Sequence, residues 1–408
     1  MKILHTSDLH IGKRLHQVDL MKDQEAFFNW LVTLIDKESI EALLVSGDIF
    51  DVANPSSEAR KLYYEFLVQM SRLSCRVIIT GGNHDSPGVL EAPREVLKAL
   101  DIFVIGSQSE DLKKMIVEIP GKGDKPAALV AAIPFLRDRD LRKMIEDETY
   151  EDRVEGIKKG IINAYTRVAE HCKSNYPGIP AIAMGHLYLA NAKISESERE
   201  IQIGNLAGLE ADLLPGYFQY YALGHLHKPQ DMDDAGIISY SGAPYPLSFG
   251  EKEYTHRVNI LSLDEGKFST RSIEVPSMRK LLKFSGTLEE VKNKLNSYEG
   301  TTTDFPSLIE VEVIEENEDP GIIAETELAI DAFNNENALV VKSRIQFINR
   351  TEGTHELYAD DRNIEDLSPK DVFLKKIASD ALPEETEALL MEAFEEICEL
   401  VYQNENQD

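Results

Sequence analysis

Five apolar runs within the first 230 residues each stop in aspartate, asparagine or histidine, and this constrains the fold more than any bulk property of the chain. Residues 1–6 (MKILHT) lead into SDLH, with Asp8 and His10; 42–46 (ALLVS) lead into GDIFD, with Asp48 and Asp51. Residues 76–80 (RVIIT) lead into GGNHD, with Asn83, His84 and Asp85. Residues 180–184 (PAIAM) lead to His186, and 219–223 (QYYAL) lead to GHLH, with His225 and His227. Short continuous apolar runs read as strands buried on both faces. Segments of helical period at 19–38 and 57–71 separate the first three. Such alternation implies a mostly parallel sheet covered by helices. A further run, 128–133 (ALVAAI), reads as a strand without ligand residues, and 236–263 reads as hairpins of a second sheet packed on the first. Ligands of open parallel sheets gather beyond the carboxyl ends of the strands. The five ends would therefore deliver their side chains to one edge.

The spacing suits that purpose. Asp8 and His10 are two residues apart and share one face of an extended chain, as do His225 and His227, with Leu226 turned to the core. Glycines precede Asp48, Asn83, His186 and His225, which lets the backbone turn sharply and approach closely. Aspartate, asparagine and neutral histidine are ligands for borderline-hard divalent ions such as manganese. So many such groups exceed one coordination sphere and suit two ions sharing a bridging carboxylate. A lone Asp-x-His is ordinarily a turn or a helix cap, and a lone Asn-His-Asp an Asx-turn. Recurrence at five strand ends outweighs that reading, whereas His5, His16, His171, His256 and His355 stand outside the pattern. Three isolated cysteines, Cys75, Cys172 and Cys398, form neither a disulfide framework nor a CxxC zinc site.

The rest of the chain is organised differently. Residues 278–346 run strand, helix, strand, helix, strand, as a small α/β domain would; a polar linker follows, then a helix at 383–402. The expected domains are 1–270, 271–350 and 351–408. The terminal helix carries an apolar face through Leu389, Leu390, Phe394, Ile397 and Val401, which must fold back or meet a partner. Net charge is −29, but 31 acids against 10 bases fall after residue 280, and the first 280 residues are close to balance. The charge therefore argues against a DNA clamp in the tail and says little about the front. No apolar run is long enough to span a membrane and the N-terminus is no signal peptide, so the cytoplasm is expected, with no membrane partner. No G-x-x-x-x-G-K-[ST] loop is present for binding ATP.

The order D-x-H, G-D-x-x-D, G-N-H-D, G-H, G-H-x-H resembles that of the calcineurin-like metallophosphoesterases. The flanks HTSDLHIGKRLHQVDLMKDQ, VSGDIFDVANPSSEA and GGNHDSPGVLE are similar to those of the bacterial SbcD-type nuclease subunits, and the similarity extends over the whole chain. The resemblance implies an α/β fold: a four-layer metallophosphoesterase sandwich of two mixed sheets flanked by helices, plus a small α/β capping domain and a C-terminal helix. It implies that Asp8, His10 and His227 hold one metal, that Asn83, His186 and His225 hold the other, and that Asp48 bridges them. Two Mn2+ are expected, with Mg2+ as the alternative. His84 would protonate the leaving oxygen, and Asp85 would orient it. Archaeal and eukaryotic relatives place a second histidine where this chain has Asp51, so Asp51 is expected to support the site rather than touch phosphate. The implied activity is cleavage of DNA, as a double-strand exonuclease and a single-strand or hairpin endonuclease, in repair, recombination and replication at the nucleoid. The implied partners are an SbcC-type SMC-like ATPase, gripped by the terminal helix, and a second copy of the chain through helices near 58–73 and 85–100. A small-nucleotide phosphodiesterase or phosphatase of the same superfamily is the alternative.

Overall fold

The computed structural model describes residues 1–121, 125–141, 150–194, 208–300, 305–317 and 319–349. The linker beyond 349 and the helix expected at 383–402 lie outside the described residues. Two compact units divide the chain: Met1–Val313 with Thr326–Arg344, and Ile314–Glu325 with Ile345–Asp408.

The first unit opens with β1 (Lys2–Thr6), a small hairpin of β2 (Arg14–Leu15) and β3 (Val18–Asp19), helix α1 (Met21–Glu38), β4 (Ala42–Ser46), helix α2 (Ser57–Arg72) and β5 (Arg76–Thr80). Short helices α3 (Pro87–Glu91) and α4 (Arg94–Lys98) lead to β6 (Ile102–Ile105). Then come β7 (Ile116–Pro120), β8 (Pro126–Ala132), α5 (Asp138–Leu141), the long α6 (Tyr150–Asn175), β9 (Ala181–His186) and β10 (Tyr220–Gly224). The short β11 (Gln230–Asp231) and β12 (Ile238–Tyr240) precede β13 (Arg257–Asp264) and β14 (Lys267–Glu274).

These strands form two six-stranded sheets, ordered β14-β13-β1-β4-β5-β6 and β11-β12-β10-β9-β8-β7. β1, β4, β5 and β6 run parallel, as do β8, β9, β10 and β12; β7 and β11 are antiparallel edge strands of the second sheet, and in the first β13 pairs antiparallel with β1 and β14 antiparallel with β13 at the edge. The period of two along each strand builds the layers. Ile3, Ala42, Leu44 and Ile78 face the second sheet and share a core with Val130, Ile182, Met184, Tyr221 and Leu223. Their neighbours Leu4, Leu43, Val45, Val77 and Ile79 point the other way, onto Phe27, Phe28 and Leu31 of α1 and Phe66 and Leu67 of α2. The outer face of the second sheet is covered by Ile157, Ile161, Tyr165, Val168 and Cys172 of α6. The result is helix, sheet, sheet, helix, the expected four-layer sandwich.

One expectation is corrected. Residues 236–263 do not fold back on themselves: β12 pairs parallel to β10 in the second sheet, whereas β13 enters the first sheet beside β1. Residues Val258–Leu261 are wholly buried, which requires a place between two strands rather than at a hairpin edge. The hairpin is instead β13–β14, closed at Asp264 and Lys267 around left-handed Glu265 and Gly266.

The strand–helix–strand rhythm after residue 278 becomes β15 (Leu281–Gly286), α7 (Leu288–Ser297), β16 (Ser307–Asn317), α8 (Pro320–Asp331) and β17 (Ala338–Asn349), with a sheet ordered β15-β16-β17. Thr287 and Glu290 form a reciprocal capping box at the start of α7. Among its described residues, the second unit holds the ends of β16 and β17 from Ile314 and Ile345 and the first part of α8.

Candidate metal centre

Five parallel strand ends meet where the two sheets lie face to face: β1, β4 and β5 from one, β9 and β10 from the other. Short polar ties hold the sheets together there. Ser46 Oγ donates to the Ala222 carbonyl at 2.8 Å, the His225 N–H donates to Asp8 Oδ1 at 2.9 Å, and His186 Nδ1 donates to the Ser46 carbonyl at 3.0 Å. The chain turns sharply to achieve this. Asp8, His10, Asp48 and His225 all have left-handed backbone, with φ of 53°, 42°, 49° and 98°. Such conformations cost about 1–3 kcal/mol each outside glycine and persist where surrounding structure enforces them. Gly47 is also left-handed, and a Cβ there would overlap the His186 ring; one at Gly82 would overlap the Asp48 carboxylate.

The predicted residues converge. Asp8, His10 and His227 offer ligand atoms within 4.8 Å of one another, as do His10, Asp48 and His84, and Asp8, Asp48 and His186. Asp48 is thus shared between groups. Its Oδ2 lies 3.3 Å from His186 Nε2 and 3.6 Å from His10 Nε2, and its Oδ1 accepts the His84 N–H at 2.9 Å. Asn83 Oδ1 is 2.9 Å from His186 Nε2. The His186 and His225 rings meet edge to face at 5.4 Å.

The supporting residues divide in a way the sequence does not show. Asp85 accepts from the backbone N–H groups of Gly82, Ile49 and Phe50 at 2.9, 3.1 and 3.0 Å, so its carboxylate ties the β4 and β5 loops together. The His84 ring instead donates Nδ1–H to the Asp51 carbonyl at 2.7 Å. The Asp51 side chain meets His10 Nδ1 at 3.3 Å and Lys13 Nζ at 3.1 Å. Asp51 therefore braces His10, Lys13 and His84 together. Sequence reasoning missed Glu251, which is fully buried and accepts from His227 Nδ1 at 3.0 Å. It also missed Ser7, whose hydroxyl donates to Asp8 Oδ2 at 2.5 Å. Glu251 lies in no periodic pattern or strand-end motif, and Ser7, although it opens the SDLH motif, is a residue type common in any turn.

Electrostatics point to a site built around positive charge it does not itself possess. Burial raises the Asp8 carboxyl to about 6 and lowers His10 to about 4, and it also holds His225 well below the usual imidazole range. Burial also opposes charge on Asp48 and His186, but their mutual attraction prevails: Asp48 is held well below the usual carboxylate range and His186 is raised to about 9. His10 Nε2 and His225 Nε2 are buried without a hydrogen-bond partner. Buried polar atoms of that kind call for an explanation. Divalent cations would fit it: the orphaned imidazole nitrogens could serve as ligands, and the carboxylates would be neutralised.

Known proteins agree with this chemistry. Residues 1–229 match the calcineurin-like phosphoesterase family. The SbcD subunit of the SbcCD nuclease from Rhodobacter capsulatus is 37% identical over 287 residues, 68% of this chain and 69% of that protein. The Bacillus subtilis protein of the same name is 31% identical over 302 residues, 72% and 75% of the two chains. The Escherichia coli one is 28% identical over 399 residues, 97% of each. The chain is a metal-dependent phosphodiester hydrolase of the calcineurin-like phosphoesterase family, and within it belongs to the family of SbcD nuclease subunits.

Proposed function

We propose that the chain is a two-metal DNA nuclease that works with an SbcC-type ATPase. The observation that carries this is the meeting of five strand ends around Asp48, with buried imidazole nitrogens left for cations. Asp8, His10 and His227 would hold one ion, Asn83, His186 and His225 the other, and Asp48 would serve both. Mn2+ suits this mixed oxygen and imidazole set, with Mg2+ the alternative. Bound cations there supply charge against the phosphodiester and make water a competent nucleophile near neutral pH.

The remaining steps belong to side chains. His84 would act as the imidazolium, protonated on both ring nitrogens: Nε2 gives its proton to the departing sugar oxygen, while Nδ1–H stays on the Asp51 carbonyl, which leaves a neutral imidazole and presents Nε2 to the substrate. Asp85 fixes the loop that carries His84. Lys13, partly exposed and braced by Asp51, adds positive charge at the rim for a polyanionic substrate.

The expected activities are double-strand exonuclease and single-strand or hairpin endonuclease, in repair and recombination. Residues 271–350 would act as a cap beside the site, and 351–408 would bind the ATPase. Tyr64 and Val68 of α2, with Val96 and Leu100 at α4, leave exposed apolar side chains that suit a homodimer face. Among the described residues no helix is long and apolar enough to cross a membrane.

The test is cleavage of a protein-blocked linear duplex and a single-stranded circle by the full chain in Mn2+, with and without the ATPase subunit. Cleavage lost in His84→Asn supports the reading. Hydrolysis of small phosphodiesters with no DNA cleavage, even with the ATPase present, would favour the small-nucleotide alternative.

A further inference from the structure

The residue that fixes His227 sits on a turn that is itself clamped by the capping sheet. Glu251 ends a single helical turn, Phe249–Glu251. Its Oε1 accepts from His227 Nδ1 at 3.0 Å, and its Oε2 accepts the Leu247 N–H at 2.8 Å. A carboxylate can only accept here, so the His227 ring proton is on Nδ1 and the lone pair is on Nε2, facing Asp8 and His10. Phe249, two residues earlier, is buried in a cluster with Leu15, Leu20 and Leu308, flanked by Val18, Leu281 and Val341. Leu281, Leu308 and Val341 come from the three strands of the capping sheet, and Leu281 pairs with Leu308. Leu15 and Val18 belong to the hairpin that follows His10, and His16 at its tip lies 5.9 Å from the Phe249 ring. Both segments that set this ligand group, one carrying Asp8 and His10 and the other holding His227, therefore rest on one apolar seat.

We infer that Glu251 is a positioning residue for the Asp8–His10–His227 site, and that the seating of Phe249 against the capping sheet sets how tightly that one site retains its ion. The inference rests on the two-metal reading and adds a means of regulation to it. A partner or a DNA end that shifts the capping sheet would change occupancy at this site and leave the Asn83–His186–His225 site alone. Ligating histidines whose outer nitrogen loses its partner commonly lose 10–100-fold in metal affinity. Coupling through packed side chains is smaller, about two- to thirtyfold.

The experiment is Mn2+ titration of the metal-free full chain, followed by calorimetry and by electron paramagnetic resonance of the bound ions, with thermal unfolding in chelator alongside. Glu251→Ala should weaken one of two Mn2+ sites about 10–100-fold and leave the other unchanged. Glu251→Gln keeps one acceptor oxygen where the carboxylate accepts from His227, Leu247 and Ser248, and should fall between wild type and Ala, which keeps the question answerable if Ala folds poorly. Phe249→Ala should weaken the same site about two- to thirtyfold, and Phe249→Leu should restore much of it. Two sites at wild-type affinity in both Glu251 variants would overturn the positioning role. Unchanged affinity in Phe249→Ala, or equal weakening of both sites, would overturn the seat. A wild-type chain that takes up no Mn2+ would overturn the two-metal reading, and this inference with it.

Discussion

The sharpest consequence of the proposed chemistry concerns His84→Asn. The variant removes the proton donor but little else. The contact that ties this position to Asp48 is made by the main-chain N–H, at 2.9 Å, and survives any side-chain change. An asparagine amide can also donate to the Asp51 carbonyl that now accepts from Nδ1. The structural loss includes this hydrogen bond and the edge-to-face contact with His10 at 4.7 Å, about 1–2 kcal/mol, and Mn2+ stoichiometry should stay at the wild-type level. The chemical loss is larger. General acid catalysis contributes about 10²–10⁴ in rate, which is about 2.7–5.4 kcal/mol of barrier at 1.36 kcal/mol per decade. The informative assay compares two substrates under single turnover. A DNA strand leaves as a basic alkoxide that needs a proton, whereas bis(p-nitrophenyl) phosphate releases a stable phenolate. His84→Asn should lose its 10²–10⁴ on DNA and only about tenfold or less on the nitrophenyl ester. Equal losses on both would refute proton donation and leave His84 as a binding or positioning group.

Asp48→Asn should leave at least one of two ions unbound, since the carboxylate is common to two of the ligand groups; two ions at full occupancy by metal analysis would remove the bridging assignment. Asp23 and Arg279 form a buried bidentate pair at 2.8 and 2.8 Å between α1 and the segment leading into β15. Asp23→Ala leaves that guanidinium unpaired and should cost about 3–5 kcal/mol in urea unfolding, with Asp23→Leu/Arg279→Met much closer to wild type; a loss under about 1 kcal/mol would contradict the burial argument. His5 is fully buried and burial lowers it to about 3 from an ordinary 6.5. The unfolded chain then binds the extra proton, so stability is whole above pH 6.5 and falls as pH drops toward 3, by up to about 1.4 kcal/mol per unit. His5→Gln should flatten that slope in unfolding curves taken at stepped pH, and an unchanged slope would mean His5 titrates normally.

The parts of this molecule that can be read from sequence share one property: their meaning is local. An apolar run, a glycine and a ligand residue within ten positions identify a strand end, and five of them locate an edge. The same locality explains the strand–helix rhythm of the capping sheet and the capping box at Thr287. Sheet membership is not local. Residues 257–264 look like hairpin material until burial on both faces shows them between β1 and β14.

The supporting chemistry is less local still. Glu251 is 24 residues from the histidine it holds, and Asp23 is 256 residues from Arg279. In sequence each is one acid among 72. Only packing, which removes water from both partners, makes such a carboxylate different from a solvated one. Backbone strain at Asp8, His10, Asp48 and His225 is equally silent, because the left-handed turns are imposed by the meeting of two sheets rather than by those residues' own preferences. Ligand identity is thus written along the chain, while ligand orientation is written in contacts across it. That division makes the orienting residues, Glu251 and Asp51 above all, the place where members of this family with the same ligands would be expected to differ in how tightly each ion is held.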